Sequence, residues 1–430
     1  MAQSGDCRPK PPAPVRALRR LPGRRLPAAL AALLLGAAPC AAAPKAPALK
    51  TYQTRYYVIH TDLDRDGARE AAIRMTAMAE EYHRRTRGFS GVIRSRLPFY
   101  LFRRAEDYYA AGGPRGSAGG FTGRALMAIA GDHPTDSTWQ VVQHEGFHQF
   151  AHAVIRGDIP VWVNEGLAEY FGHAIFTGDD FVTGVVPPYR LQRLKKEIEA
   201  GKLMPFRRMM QLSYRQWSGE LAIANYDQAW SMVHFLVHGE DGRYLKPMSG
   251  FMNDIGRSLR YENAWVKNFG RDIDGFEKRW REYWLAQPTN PTEDLYAKAA
   301  VATVTGFFAR AYSQKQTFAT AAEFFQAAEQ GKLKAHNKDW LPPVLLEKNL
   351  AKAKSLGPWA IEKPQGLPPL LTCTAGEDRK FVGLFRVEAG RVEQVRVRLE
   401  GREQPDRLPE PATSPGEGAR PAVPSAPQAP

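Results

Sequence analysis

Apolar positions change period several times along the chain, and each change marks an element. RYYVIHTDL (Arg55–Leu63) and LPFYLF (Leu97–Phe102) are short runs rich in β-branched and aromatic residues, and they predict strands. Between them Ala68, Ala71, Ala72, Met75, Met78 and Ala79 recur near the helical period and predict a helix over Arg65–Arg87. AAGGPRGSAGGFTG (Ala110–Gly123) is glycine-rich but lacks the Gly-Lys-Ser/Thr ending of a phosphate-binding loop. It reads as a mobile flap or a plain connector. ALMAIAG (Ala125–Gly131) predicts another short strand. Thr135, Asp136 and Ser137 are candidate caps for the helix that follows, and Arg156-Gly157 supplies its stop. Ile159-Pro160-Val161-Trp162 opens a second helix that runs to about His173.

Further along, Leu191–Ala200, Tyr226–Gly239 and Ile273–Ala286 carry helical patterns. Asn290-Pro291 marks a boundary, and Glu293–Lys334 has the composition of a helix pair. Period-2 alternation in VEQVRVRLE, with a turn at Glu388-Ala389-Gly390, predicts a small β unit within Leu370–Glu400. The fold class expected is therefore α+β. An N-terminal mixed α/β part spans 51–135, two central helices and a helical subdomain span 136–290, a helical connector spans 291–365, and a small β unit spans 366–401. The Pro/Ala/Gly/Glu-rich segment 402–430 has almost no large apolar residue and reads as a disordered tail. There is no internal repeat.

Composition changes this picture mainly at the N-terminus. RALRRLPGRR is a basic n-region, LPAALAALLLGAA is an apolar h-region too short to span a bilayer, and Cys40-Ala41-Ala42-Ala43 offers a cleavage zone. Residues 1–43 read as a signal peptide, so export to a periplasmic or extracellular space is expected. Setting aside that leader, with seven basic side chains and one acid, lowers the net charge from +14 to +8. No stripe of Lys and Arg interleaved with aromatics accompanies the remaining charge, so nucleic acid is not an expected partner. Cys7 and Cys40 lie in the leader and leave Cys373 alone, so the mature chain has no internal disulfide. No other apolar run approaches membrane length, and the expected mature chain has no transmembrane segment.

The chemistry concentrates in HEGFHQFAHAVIRGDIPVWVNEGLAEYF, from His144 to Phe171. His144 and His148 are four apart, which on an α-helix is about 6 Å of rise and about 40° of rotation. Both imidazoles therefore leave one face and can reach one Zn²⁺ at about 2 Å. Glu145 is turned by about 100° from His144 and is placed to act on water rather than on the ion, as a general base. A catalytic zinc takes three protein ligands and keeps a fourth position open. Glu165, delivered by a short helix–turn–helix, is the candidate third ligand, and Glu169 follows on its face to orient a ligand histidine. His152 extends the stripe but lies about 12 Å along the axis from His144, too far to share an ion. It reads as a packed or hydrogen-bonded residue.

HEGFH followed by WVNEGLAEYF resembles the glutamate-zincins, the thermolysin-like and aminopeptidase-like zinc peptidases. More narrowly it resembles the peptidase MA-like group, often described only as proteins of unknown function, which pairs HExxH with a P-x-W-[VL]-x-E-G-x-A-[ED]-[YF] helix. The resemblance spans roughly 51–285 and includes the NYDQAWSMVHFLVH and DIDGFEKRWREYWLA helices. It implies a zincin-like metallopeptidase fold, Zn²⁺ on His144, His148 and Glu165, Glu145 as base and Glu169 supporting a ligand histidine. It also implies a donor to the oxyanion from a later helix, with Tyr226 the first candidate and His234 the second, and an extended peptide docked along the strand Ala125–Ala130. Sixteen residues separate His148 from Glu165, slightly fewer than in thermolysin-like enzymes, which implies a tighter connection.

The function expected from the sequence is therefore an exported zinc-dependent peptidase acting on a peptide or protein substrate. No G-x-M-E-N exopeptidase motif is present, which favours endopeptidase action. The alternative is a non-catalytic envelope binding or scaffold protein that keeps the zinc site.

Overall fold

The computed structural model describes residues 48–219, 223–376 and 378–400. The leader over 1–43 and the tail over 402–430 lie outside the described residues. The chain begins with β1 (Lys50–Gln53), β2 (Tyr57–Thr61), α1 (Arg65–Thr86), β3 (Leu97–Phe102), α2 (Ala105–Ala110), β4 (Gly119–Phe121) and β5 (Leu126–Ile129). Its strands form a five-stranded mixed sheet in the order β1-β2-β3-β5-β4. β2, β3 and β5 run parallel, and β1 and β4 close the two edges antiparallel. Asp64 caps α1 by accepting from the Gly67 N–H at 2.8 Å. The α1 stripe Ala68, Ala71, Ala72, Met75, Met78 and Ala79 is buried, as its periodicity predicts. Ala71, Ala72, Met75 and Ala79 share a core with Ile59, Phe99 and Leu126 of the sheet.

Two strands of this sheet lie where the sequence predicts none. β1 forms in the spacer before Arg55, and β4 forms inside the glycine-rich segment read as a flap or connector. Backbone pairing decides β4: Gly120 stands opposite Met127 and Phe121 opposite Leu126. Glycine is needed there for proximity, because a Cβ on Gly119 would sit 2.6 Å from Val141 Cγ1 and 3.0 Å from the Met127 carbonyl oxygen. As a result β5 is flanked on both sides. The free edge of the sheet is β4, not the strand within Ala125–Ala130.

The middle region is helical: α3 (Asp136–Val154), α4 (Val161–Gly172), α5 (Pro188–Glu199), α6 (Phe206–Met209), α7 (Tyr214–Gly219), α8 (Ile223–His238), α9 (Leu245–Gly256), α10 (Tyr261–Phe269) and α11 (Ile273–Ala286). Between α4 and α5 a two-stranded hairpin pairs β6 (Ile175–Phe176) with β7 (Phe181–Val182). Trp162, Trp230, Trp265, Trp280 and Trp284 are all fully buried in the core of this region. Such large flat side chains each remove up to about 250 Å² from water, which is what holds short helices in place. α4 lies close against α8 at Gly166. A Cβ there would collide with the Ala229 carbonyl and Val233 Cγ2.

The last third holds α12 (Glu293–Ser313), α13 (Ala321–Glu329) and α14 (Pro343–Ser355). After them come β8 (Trp359–Glu362), β9 (Leu370–Ala375), β10 (Arg379–Glu388) and β11 (Arg391–Leu399). The strands make an antiparallel sheet in the order β11-β10-β9-β8, and β8 falls inside the stretch read from sequence as a helical connector. α12 also reaches back to the β6–β7 hairpin. Its Arg310 guanidinium holds Asp179 at 3.0 and 2.8 Å and Asp339 at 2.9 Å, and all three side chains are buried. Among the described residues no helix is long and apolar enough to cross a membrane.

We expect Gly166→Ala to force α4 and α8 apart and to destabilise the fold by about 2 kcal/mol, the scale of overpacking a closed core. Thermal and denaturant unfolding of the two proteins checks this. An unchanged midpoint would show that the two helices do not need their present separation.

Candidate metal centre

The helix that carries the histidines is fixed at both ends and along its side. At its start the Thr135 N–H donates to the Thr138 hydroxyl oxygen at 3.1 Å and the Thr138 N–H donates to the Thr135 hydroxyl oxygen at 3.3 Å. Along its length Gln149 Nε2 donates to the Pro98 carbonyl at 2.8 Å and so ties α3 to β3. Gln143, directly before the first histidine, sends Nε2 to the carbonyls of Phe171, Gly172 and Ala174 at 3.0, 3.1 and 3.0 Å. Those carbonyls belong to the end of α4 and the turn after it, where a helix leaves acceptors unpaired. One amide therefore locks α3 to α4 beside the site.

The lock brings three donors together. His144 Nε2 and His148 Nε2 are 3.1 Å apart, and each lies 3.5 Å from Glu165 Oε2. A tetrahedral ion with bonds of about 2.0–2.2 Å spaces its ligands roughly 3.3–3.6 Å apart. Two imidazole nitrogens and one carboxylate oxygen, converging at that spacing, form a group that could hold a metal ion. The donor set of two nitrogens and one oxygen suits zinc and other borderline divalent ions.

Charge at the triangle is strongly biased. Burial alone would lower the His144 pKa, but Glu165 and Glu169 on either side hold the imidazole up, at about 10. Burial alone would raise Glu165, but His144 and His148 bring it down to about 2. The two carboxylates thus favour a positive charge at the centre of the cluster. His144 Nδ1 lies 3.1 Å from Glu169 Oε1, so the carboxylate that follows Glu165 by one helical turn faces the nitrogen of His144 that points away from the donor triangle. Burial opposes ionisation of Glu169 as well, yet His144 and Arg190 hold its pKa well below the usual carboxylate range. The second ring has no such support, since His148 Nδ1 is buried without a hydrogen-bond partner among the described residues.

Glu145 points away from the triangle, towards the sheet edge, as its rotation on the helix requires. Its Oε2 accepts from the Phe121 N–H of β4 at 2.9 Å. Tyr226, near the start of α8, stands with its ring 6.3 Å from that of His144. Burial raises its pKa, and the charges of Glu165, Glu169 and Glu145 add to that rise, so the hydroxyl stays protonated at neutral pH. His234 does not join the site. It is buried one face away with Nε2 3.0 Å from the Gly184 carbonyl, and burial pushes its pKa down to about 4. His152 is exposed and lies against Phe121, 5.4 Å between ring centres, outside the donor triangle.

Sequence reasoning missed three neighbours of the site. Arg190 on α5 reaches Glu169 Oε2 at 2.6 Å and Asp227 Oδ1 at 2.7 Å. Asp227 follows Tyr226 on α8 and also pairs with Arg193. Tyr214 on α7 is exposed and accepts from Asn164 Nδ2 at 2.7 Å, beside Glu165. None of these shows a local spacing signal, because each partner comes from a different helix.

A family model described as a protein of unknown function, DUF1570, matches residues 138–255. That span contains His144, Glu145, His148, Glu165, Glu169, Arg190 and Tyr226. No curated protein and no solved structure matches the chain.

We expect the metal-stripped protein to take up about one divalent ion per chain, as a three-ligand site would. His148→Ala and Glu165→Gln should each weaken binding by more than about 100-fold, beyond the loss that follows removal of an outer partner. Titration calorimetry with Zn²⁺ measures both. Equal affinity in wild type and His148→Ala would show that the ion binds elsewhere.

Proposed function

We propose that the protein is an exported zinc-dependent peptidase of the gluzincin type, acting within peptide or protein chains. The observation that carries this reading is the triangle of His144, His148 and Glu165 donors on two locked helices, with Glu145 turned towards a free strand edge. A zinc ion held by those three side chains supplies Lewis acidity to a peptide carbonyl and acidity to water. The residues around it supply the remainder. Phe121 N–H fixes Glu145 Oε2, so Oε1 is the oxygen that takes a proton from water and passes it to the leaving amine nitrogen. Tyr226 carries its hydroxyl proton at neutral pH and donates it as a hydrogen bond where negative charge develops on the carbonyl oxygen. Glu169 fixes the ring of His144 so that Nε2 faces inward. β4 ends the sheet with its Phe121 N–H given to Glu145, and the rest of its outer edge is where an extended chain would pair through its backbone.

Export rests on the leader composition, and peptide-bond hydrolysis rests on the placement of Glu145. Zinc-loaded protein beginning at Pro44 should cut a mixed peptide pool. Glu145→Gln should keep its zinc and lose about 10²–10⁴-fold in rate, the usual contribution of a positioned base. Tyr226→Phe should lose about 10²–10³-fold in kcat, the scale of one oxyanion donor. Mass spectrometry of the digests with zinc analysis of the same samples reads all three. If Glu145→Gln cuts as fast as wild type, the assigned chemistry is wrong. If zinc-loaded wild type cuts nothing, the metal-holding scaffold becomes the better reading.

A further inference from the structure

Two groups of the site sit on helices that share no direct lock. His144 is on α3 and is oriented through Glu169 of α4. Tyr226 is on α8, and the next residue is Asp227. One side chain touches both supports. Arg190 Nη1 lies 2.6 Å from Glu169 Oε2, and its Nε lies 2.7 Å from Asp227 Oδ1. The guanidinium is also seated over the Trp230 ring, 4.6 Å from its centre. The side chain is 3% exposed and Asp227 1%, so neither exchanges its partner for water. Nη1 donates to Glu169, while Nε meets Asp227 as a close ion pair and not as a hydrogen bond, so one guanidinium touches both carboxylates across a width that an ammonium does not have.

We propose that Arg190 is a positioning residue that sets the His144 ring and the start of α8 in one geometry, so that metal grip and the Tyr226 hydroxyl are aligned together. The inference rests on the metal-dependent reading above. Glu169 faces His144 with one oxygen and Arg190 with the other. Removing the guanidinium leaves the second oxygen only the longer contact to His173 Nε2, at 3.7 Å, and the carboxylate can then turn away from Nδ1. His144 is the only one of the two histidine ligands with a partner on its outer nitrogen among the described residues. Loss of that orientation therefore falls on the better-held half of the grip. On the other side Asp227 keeps Arg193, whose Nη2 stays 2.9 Å from Oδ1. Arg193 touches Asp227 and not Glu169, so it supports α8 without reaching the metal ligands. That difference makes it the control.

The experiment compares Zn²⁺ affinity, by competition with a chromophoric chelator, in wild type, Arg190→Gln and Arg193→Gln. The visible spectrum of the Co²⁺-loaded forms and far-UV circular dichroism are recorded on the same samples. With native dichroism, Arg190→Gln should bind Zn²⁺ about tenfold more weakly, the scale for an outer-shell partner, and its Co²⁺ bands should shift. Arg193→Gln should stay within about twofold of wild type, because its carboxylate lies off the ligand path. Equal affinity of folded Arg190→Gln and wild type overturns the proposal, and so does an equal loss in both variants. If Arg190→Gln does not fold, Arg190→Lys keeps the charge but reaches only one carboxylate. A few-fold weakening then supports the fork, and wild-type affinity overturns it. Wild type that takes up no Zn²⁺ or Co²⁺ overturns the metal-dependent reading itself, a different result from a metal-binding wild type with an indifferent Arg190 variant.

Discussion

Burying ionisable side chains between helices costs several kcal/mol each unless every charge meets a partner in good geometry. The middle of this protein is organised around that demand. His144, Glu165, Glu169, Arg190 and Asp227 come from α3, α4, α5 and α8, and each is in contact with an opposite charge. The pairing is not complete in itself. Glu165 answers two imidazoles, and one of those imidazoles carries a proton only because two carboxylates surround it. A cluster with that balance could hold a divalent ion with little rearrangement, since its three donors already converge.

Around this cluster neutral contacts do the placing. Gln143 satisfies three carbonyls at the end of α4, and Gly166 lets α8 approach until its carbonyl backbone rests on α4. The charges would be ill matched if either contact were loosened, because a shift of an ångström costs a buried ion pair most of its advantage over hydration. The sheet contributes through β4. Its short, glycine-rich backbone lies against α3 and holds Glu145 through a single amide. Helix packing, strand edge and charge pairing thus fix different atoms of one site.

Much of this was legible in the sequence where the signal is local. The i, i+4 histidines, the capping threonine, the Ala/Met stripe of α1 and the alternation in β11 are each decided within one or two turns. The bounds of β3 and α11 were readable to the residue. What escaped was decided at a distance. β4 has three residues, two of them glycine, and no propensity to be a strand until β5 pairs with it. α9 carries Pro247 in its first turn and Gly250 soon after, which hides its period although proline is tolerated there. Arg190 stands just ahead of the helix expected over Leu191–Ala200 and inside the observed Pro188–Glu199, with no spacing signal of its own. Its partner Glu169 lies 21 positions away, and no spacing rule covers such a pair.

The Asp179–Arg310–Asp339 contact has a bearing on how this chain can be divided. The matched family span ends at residue 255, well before α12, so the helices that carry the donor triangle resemble a unit that could stand alone. The charges say otherwise. Asp179 belongs to the hairpin that follows α4, and its buried carboxylate is neutralised by a guanidinium more than a hundred positions later. A chain shortened ahead of α12 would keep every donor of the triangle and lose Arg310, which holds that carboxylate with two hydrogen bonds. The C-terminal third is therefore not a detachable appendage but a counterion. A lineage or a designer that discards it has to replace Asp179 in the same step.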